Sequence, residues 1–190
     1  MTEIEQYIKS YFGVIRSEEL KHVSSLFKLT SLKKGDFLLK TGRSCDKFCF
    51  IQSGLLRVFT ISGDKEVTQW IATKGYFGTD YPSFFSDTPS RWTIQALVDT
   101  EVYTITKNDY KKFAEVVSGW NELEKLFMIN CFTILEGRIF SFLSMSAEER
   151  YNLFFEHNKE LFNQVPLQYI ASMLGMTPET FSRIRKKQLS

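Results

Sequence analysis

The stretch QYIASMLGMTPETFSRIRKK, residues 168–187, decides how the C-terminal part of this chain folds. Gly175 marks a turn, because glycine takes a left-handed backbone at little steric cost and so ends helices. Thr177 is a good helix N-cap, and Pro178 suits the first helical position, where a missing N–H leaves nothing unsatisfied. Two short helices are expected, over about 166–174 and 178–188. Ile170 and Leu174 stand four apart on the first, Phe181 and Ile184 three apart on the second, and Met176 lies in the turn. With the small Ala171 where two helices would cross closely, these positions form the inner face of a helix-turn-helix.

The opposite face has a different chemistry. At about 100° per residue, Glu179, Thr180, Arg183, Lys186 and Lys187 fall in one arc, away from Phe181 and Ile184. Such a helix keeps one face packed and leaves the other free to enter the ~12 Å major groove of DNA. Arg183 could contact guanine bidentately, Glu179 could accept from a cytosine amino group, and Thr180 could serve a base edge or a phosphate. Arg185, Lys186 and Lys187 would supply backbone charge, which sets affinity and salt dependence. Gln168 and Thr177 complete the candidate DNA-binding set.

Charge is placed to match. The 190-residue chain carries a net charge of +2, yet from Gln164 onward one acid, Glu179, faces Arg183, Arg185, Lys186 and Lys187, a local net of +3. A near-neutral body with a basic end points to a polyanion met by that end. The length allows one large domain or two small ones, and 43% hydrophobic residues can bury a real core in which the 18 Phe predict aromatic packing.

Working back along the chain, residues 1–28 place Ile4, Ile8, Phe12, Leu20, Val23, Leu26 and Phe27 at helical spacing. From about 29 to Thr106, short runs rich in β-branched and aromatic residues alternate with turn signals such as KKGD, TGRSCD and SGDK, the pattern of a sandwich, barrel or jelly roll. Helical spacing then returns. KNDYKKFAEVVS is one candidate, and a longer helix runs from about Trp120 to Phe142 with Leu123, Phe127, Ile134 and Leu135 as an apolar stripe that Asn130 interrupts. Ser146 with Glu149 is a capping box that starts a further helix.

Several classes are disfavoured. The three cysteines, Cys45, Cys49 and Cys131, argue against a disulfide framework and are too few for a four-thiolate iron–sulfur cluster. Cys45 and Cys49 read as ordinary buried or half-buried thiols, and no metal site is expected. The N-terminus lacks the features of a signal peptide, and no apolar run reaches the ~18–20 residues of a membrane span, so a cytoplasmic setting without a membrane partner is expected. An enzyme of the double-stranded β-helix type would need His and carboxylate ligands in the barrel, and residues 29–106 contain no His. A small-ligand or cyclic-nucleotide-binding module whose helical tail makes protein contacts only is the alternative to DNA binding.

The order of a β-rich section, a long helix and a helix-turn-helix resembles the Crp/Fnr transcription regulators. KKGDFLLKTG, FCFIQSGLLRVF and KGYFGTDYPSF are similar to that family's cyclic-nucleotide-binding-type jelly roll. SAEERYNLFFEH and VPLQYIASMLGMTPETFSRIRKK are similar to the form found in regulators from Bacteroidetes-type bacteria. The resemblance covers nearly the whole chain. It implies an α+β fold with an N-terminal jelly roll and flanking helices, a long dimerisation helix and a C-terminal all-α helix-turn-helix domain. The implied organisation is a sensor over 1–118, a dimerisation helix and linker over 119–143, and a DNA-binding domain over 144–190.

In that family an acidic residue and an arginine four positions later touch bases, and Glu179 and Arg183 stand at those places. Pro178 replaces a position that is often basic in the catabolite activator branch. The family commonly adds a β-hairpin wing after the recognition helix; this sequence ends at Ser190, so a domain lacking the usual wing is expected. The resemblance puts an effector pocket at Phe77, Gly78, Thr79, Asp80, Ser90 and Arg91. Thr79 occupies the place of the ribose-binding Glu, and bulky Trp92 follows Arg91 where a small residue should stand. The implied sensor therefore does not bind cyclic AMP in the usual way, no cofactor is expected, and a cyclic nucleotide or other small effector is left unidentified. The long helix would pair with a second copy through Leu123, Phe127, Asn130 and Ile134, with a palindromic double-stranded DNA site as partner and RNA polymerase as a further candidate.

Overall fold

The structure, a computed structural model, describes residues 1–188. Its first elements are the helices α1 (Glu3–Phe12) and α2 (Ser17–Ser25). Thr2 and Glu5 cap α1 reciprocally, and Ile4, Ile8, Phe12, Leu20 and Val23 are buried. Eight strands follow: β1 (Lys28–Leu32), β2 (Phe37–Leu39), β3 (Lys47–Ser53), β4 (Leu56–Ser62), β5 (Lys65–Ala72), β6 (Phe77–Gly78), β7 (Thr93–Ala96) and β8 (Thr100–Thr106). They form two four-stranded sheets, in the orders β1-β8-β3-β6 and β2-β7-β4-β5, which is a jelly roll. Antiparallel pairing runs Lys28↔Thr104 to Leu32↔Thr100, and Lys47↔Thr106 to Ile51↔Val102 with a bulge before Ser53.

Strand β3 does not alternate. Phe48, Cys49, Phe50 and Ile51 are all buried, because both faces of the strand are covered. Phe50 meets Tyr7, Tyr11 and Phe27, and Phe48 meets Phe12, Phe77 and Tyr110, so the N-terminal helices close one face with rings. The β3–β4 turn needs Gly54: its φ is +91°, and a Cβ there would lie 2.4 Å from Thr100 Oγ1.

A short helix, α3 (Tyr81–Ser86), lies between β6 and β7, within the section expected to hold only strands and turns. Asp80 caps it and Pro82 fits its first turn. The expected helix over KNDYKKFAEVVS is two pieces, α4 (Lys107–Lys111) and α5 (Phe113–Val116). The Lys112 N–H bonds back to Asp109 O at 3.1 Å, a tighter turn that breaks the helix without a proline.

Helix α6 spans Trp120–Ser144. Then come α7 (Ala147–His157), opened by the Ser146–Glu149 capping box, the single turn α8 (Leu161–Gln164), α9 (Leu167–Met173) and α10 (Pro178–Gln188). Turn α8 also escaped the sequence reading; Leu161 and Phe162 on it are buried. The chain forms two compact units: Met1–Val58 with Ala72–Cys131, and the outer β4–β5 hairpin, Phe59–Ile71, with the helices from Phe132 onward. The expectation about the missing wing concerns the end of the chain at Ser190, outside the described residues.

Candidate nucleic-acid interface and effector pocket

The C-terminal helices assemble around aromatic residues. Phe181 of α10 packs 5.1 Å from the Tyr151 ring and 5.8 Å from Phe162, and Phe155 packs edge-on to Phe162 at 4.9 Å. Ile170, Ala171, Leu174, Phe181 and Ile184 are buried, and Met176 is half-buried. Gly175 takes φ +67°, its N–H bonds to Ser172 O at 3.0 Å, and Met176 N–H bonds to Ala171 O at 3.0 Å. The Thr180 N–H donates to Thr177 Oγ1 at 3.3 Å, so Thr177 caps α10. The seven residues assigned to the helix-turn-helix core are thus brought together in one packed turn.

Glu179, Arg183, Lys186, Lys187, Thr177 and Gln168 are exposed, while Thr180 and Arg185 are half-buried. The Glu179 carboxyl is held below its usual value, first by its own backbone N–H, then by the Thr177 hydroxyl, with the Lys65 charge adding to both. A carboxylate kept ionised at a helix start remains an acceptor. Arg185 lies close enough to Tyr151 for its charge to oppose the upward push that burial gives the phenol. Lys187 Nζ binds the Glu148 carboxylate of α7 at 2.8 and 3.1 Å, so it must leave that pair to reach a phosphate.

The stripe assigned to dimerisation is divided by the structure. Phe127 is 1% exposed and lies 4.6 Å from Phe12 and 5.2 Å from Phe77, so it belongs to the jelly-roll core and not to a free face. Leu123 is half-buried, and Asn130 and Ile134 are exposed. The face left open is turned away from Phe127 and carries Met128, Phe132, Leu135 and Ile139, at steps of four, three and four residues, beside Ile129, Phe140 and Leu143. Phe127 and Ile134 lie seven residues apart on nearly the same face, so position along α6 and not helix phase separates them: rings from other elements meet Phe127, whereas Ile134 is 56% exposed. Although no run of the sequence is apolar throughout over a membrane-span length, α6 is long and apolar enough to cross a bilayer by length and composition.

The pocket residues lie near one another but are largely engaged. Thr79 Oγ1 donates to Lys47 O at 3.0 Å and lies 3.3 Å from Cys45 Sγ. The buried Ser90 hydroxyl donates to the buried Asp80 carboxylate at 2.5 Å and accepts from Trp92 N–H at 3.0 Å. Ser83 N–H donates to Asp80 Oδ1 at 3.5 Å, and the Ser83 hydroxyl takes the Cys45 N–H at 2.8 Å. Phe77 stacks on Phe48 at 5.7 Å. Arg91 is the exception: its side chain is exposed, its guanidinium lies 5.4 Å from the Trp92 ring, and its carbonyl accepts from Thr41. It does not join Asp80 and Ser90.

The cavity bounded by Leu38, Leu39, Cys45, Asp46, Lys47, Gly78, Thr79 and Ile94 measures about 10 Å³, room for one water molecule. A buried carboxylate repels a phosphate, and the candidate arginine points elsewhere, so these residues do not fit a cyclic nucleotide. Cys45 and Cys49 are buried and Cys131 is half-buried, all as free thiols. Burial pushes the Cys49 thiol up to about 12 and Cys131 up to about 11, so both are un-ionised at neutral pH. Arg57, 1% exposed on β4, is a buried cation to which sequence reasoning assigned no role.

Comparison with known proteins places this geometry. Residues 29–116 match the family described as the cyclic nucleotide-binding domain. A crystal structure of a putative Crp/Fnr-family transcriptional regulator from Eubacterium rectale is similar at a TM-score of 0.72 and 19% identity, over 97% of this chain and 88% of that one. FixK2 from Bradyrhizobium japonicum is similar at 0.69 and 17% identity, over 85% and 83%. The catabolite activator protein of Thermus thermophilus is similar at 0.58 and 20% identity, over 93% and 85%. At these identities the likeness is one of fold. No curated protein matches the chain in sequence.

Proposed function

We propose that this chain is a homodimeric, sequence-specific DNA-binding transcription regulator of the Crp/Fnr kind, and not an enzyme. Residues 1–118 would act as sensor, 119–143 as dimerisation helix and 144–190 as DNA-binding domain. The observation that carries the reading is α10. It is capped by Thr177, buried at Phe181 and Ile184, and exposed at Glu179, Arg183 and Lys186 behind a glycine turn. Two side chains suited to base edges and a cationic flank suited to phosphate then share one accessible helix face.

The open face of α6 supports pairing with a second copy. Met128, Phe132, Leu135 and Ile139 follow the spacing of a coiled-coil seam. Gly137 adds an open trough of about 420 Å³ with Thr133, Glu136, Ile139, Phe140 and Leu143, into which a partner helix could place a side chain. A bilayer suits this helix less well. Glu136 is exposed on it, and a charge near a bilayer centre costs about 2.5–3.5 kcal/mol on insertion scales. A two-fold pair would set two recognition helices about 34 Å apart on a palindromic site, next to RNA polymerase at a promoter. The sensor would act without a cyclic nucleotide in the usual place, and any effector would work by favouring one arrangement of the two DNA-binding units.

Selection of bound duplexes from a random pool, followed by affinity against salt, tests this. An enriched palindrome with half-sites one turn apart supports the reading. Weak, sequence-blind binding would instead favour a ligand-binding module whose tail meets protein.

A further inference from the structure

The turn between α9 and α10 is held by side chains that the DNA-binding reading does not use. Arg138 of α6 donates from Nη2 to Met173 O at 2.6 Å and from Nη1 to Gln69 O on β5. Its guanidinium lies 5.3 Å from the Trp70 ring and 5.5 Å from the Phe142 ring. Arg150 of α7 donates from Nε to Leu174 O at 3.0 Å and from Nη1 to Met145 O at 2.6 Å, and its guanidinium lies 5.1 Å from the same Phe142 ring. Ser172 Oγ accepts from Thr68 N–H at 2.9 Å and donates to Glu66 O at 3.4 Å. The hairpin formed by β4 and β5 is therefore bonded to α9 both directly and through Arg138.

We propose that Arg138 is a positioning residue that ties the end of α9 to the β4–β5 hairpin and so sets the pitch of the recognition helix. The last carbonyls of a helix lack intrahelical partners, and positive charge there is favourable. A glycine cap or a lysine would satisfy that need locally. A planar fork that reaches carbonyls on two separate segments does more: it fixes the distance between them. Burial lowers the Arg138 pKa, but a guanidinium stays charged, so both bonds persist at any physiological pH. In this clamped arrangement Glu179, Arg183 and Lys186 are exposed, so the clamp holds the reading face outward. A shift of the hairpin would be passed through Arg138 and Ser172 to α9. The inference rests on the DNA-binding reading for its consequence, though not for the clamp itself.

The test uses the full chain as Arg138→Met, Arg138→Lys and Ser172→Ala, with two readouts. Amide exchange at Gly175 and Met176 reports the turn, and affinity for the selected duplex against salt reports DNA binding. Arg138→Met should speed exchange at the turn and weaken binding about tenfold with an unchanged salt slope, as expected for a residue that acts through others. Arg138→Lys should recover little of this, because a single ammonium nitrogen lacks the planar fork whose separate nitrogens reach two spaced carbonyls. Ser172→Ala should shift both readouts the same way, less strongly, and should combine with Arg138→Met less than additively. Unchanged exchange at the turn in both the Arg138→Met and Ser172→Ala chains overturns the clamp. A salt slope lowered by about 0.9 in Arg138→Met would make Arg138 a phosphate contact and also overturn it. If the wild-type chain selects no duplex, faster exchange confined to the turn retains the clamp and removes the DNA reading. Should Arg138→Met unfold the chain, Ser172→Ala decides.

Discussion

The ring of Phe142 lies against Gly175 so closely that a Cβ at that glycine would come within 2.6 Å of Phe142 Cε1. The glycine also sits at φ +67°, a conformation that other residues adopt at a cost. Gly175→Ala should therefore destabilise the protein by about 1–3 kcal/mol, through contact and backbone together. A fall in the urea midpoint at constant slope is the expected result. An unchanged midpoint would mean that the turn relaxes freely and Phe142 does not hold it.

The exposed side chains of α10 should divide into two kinds. Arg183→Ala should cost about 1–3 kcal/mol in DNA binding and relax the preference at one base position. Lys186→Ala should weaken all duplexes alike and lower the salt slope by about 0.9. Lys187 starts from its pair with Glu148, so Glu148→Gln should strengthen binding modestly at low salt. Selection on each variant measures the first effect, and a salt titration measures the other two.

Two phenylalanines on one helix should behave oppositely. Phe132→Asp, on the open face, should leave the circular dichroism unchanged and convert a dimer into a monomer by sedimentation equilibrium. Phe127→Ala should cost about 3–5 kcal/mol of stability, because the ring is buried among other rings. If Phe132→Asp leaves the mass unchanged, the open face of α6 is not the seam.

Millimolar cyclic AMP should not shift the melting temperature, and Arg91→Ala should behave as wild type. Asp80→Ala should destabilise, because it takes the cap acceptor from the Ser83 N–H in the first turn of α3 and leaves the buried Ser90 hydroxyl only the Trp92 carbonyl to donate to. A clear thermal shift with the nucleotide, lost in Arg91→Ala, would restore the family's usual pocket.

The Arg16 guanidinium and the Ser118 N–H hold the buried Glu19 carboxyl down to about 2, from 4.5 when unfolded. A depressed carboxyl contributes stability that is complete above its unfolded value and fades as pH falls through the folded one. Thermal melts should show Glu19→Gln less stable than wild type at neutral pH. The two curves should converge between about pH 4 and 2. A gap that stays constant to pH 2 would rule out the ion pair as its cause.

The last two helices and the turn between them were legible because they rest on local rules. Ile170, Ala171, Leu174, Gly175, Thr177, Phe181 and Ile184 lie within one short stretch, and periodicity, capping and turn chemistry each act over a few residues. The strands were legible for the same reason. Helix α3 was missed although Asp80 and Pro82 carry its start signals, because six residues are too few for helical periodicity to show within a run of strands.

What the sequence determined by itself is therefore the kind of the longer elements, their apolar positions and the basic character of the last helix. Tertiary structure alone decided which apolar residues of α6 are spent inside. Phe127 and Phe132 have the same side chain on the same helix, and the rings supplied by α1, β3, β6 and α3 give the first one neighbours. It alone joined Arg138 to Gln69 and Met173, residues 69 and 35 positions away in the chain. No local pattern encodes such a partner, because a guanidinium bonds whatever carbonyl the fold brings within reach, and a backbone carbonyl belongs to every residue type.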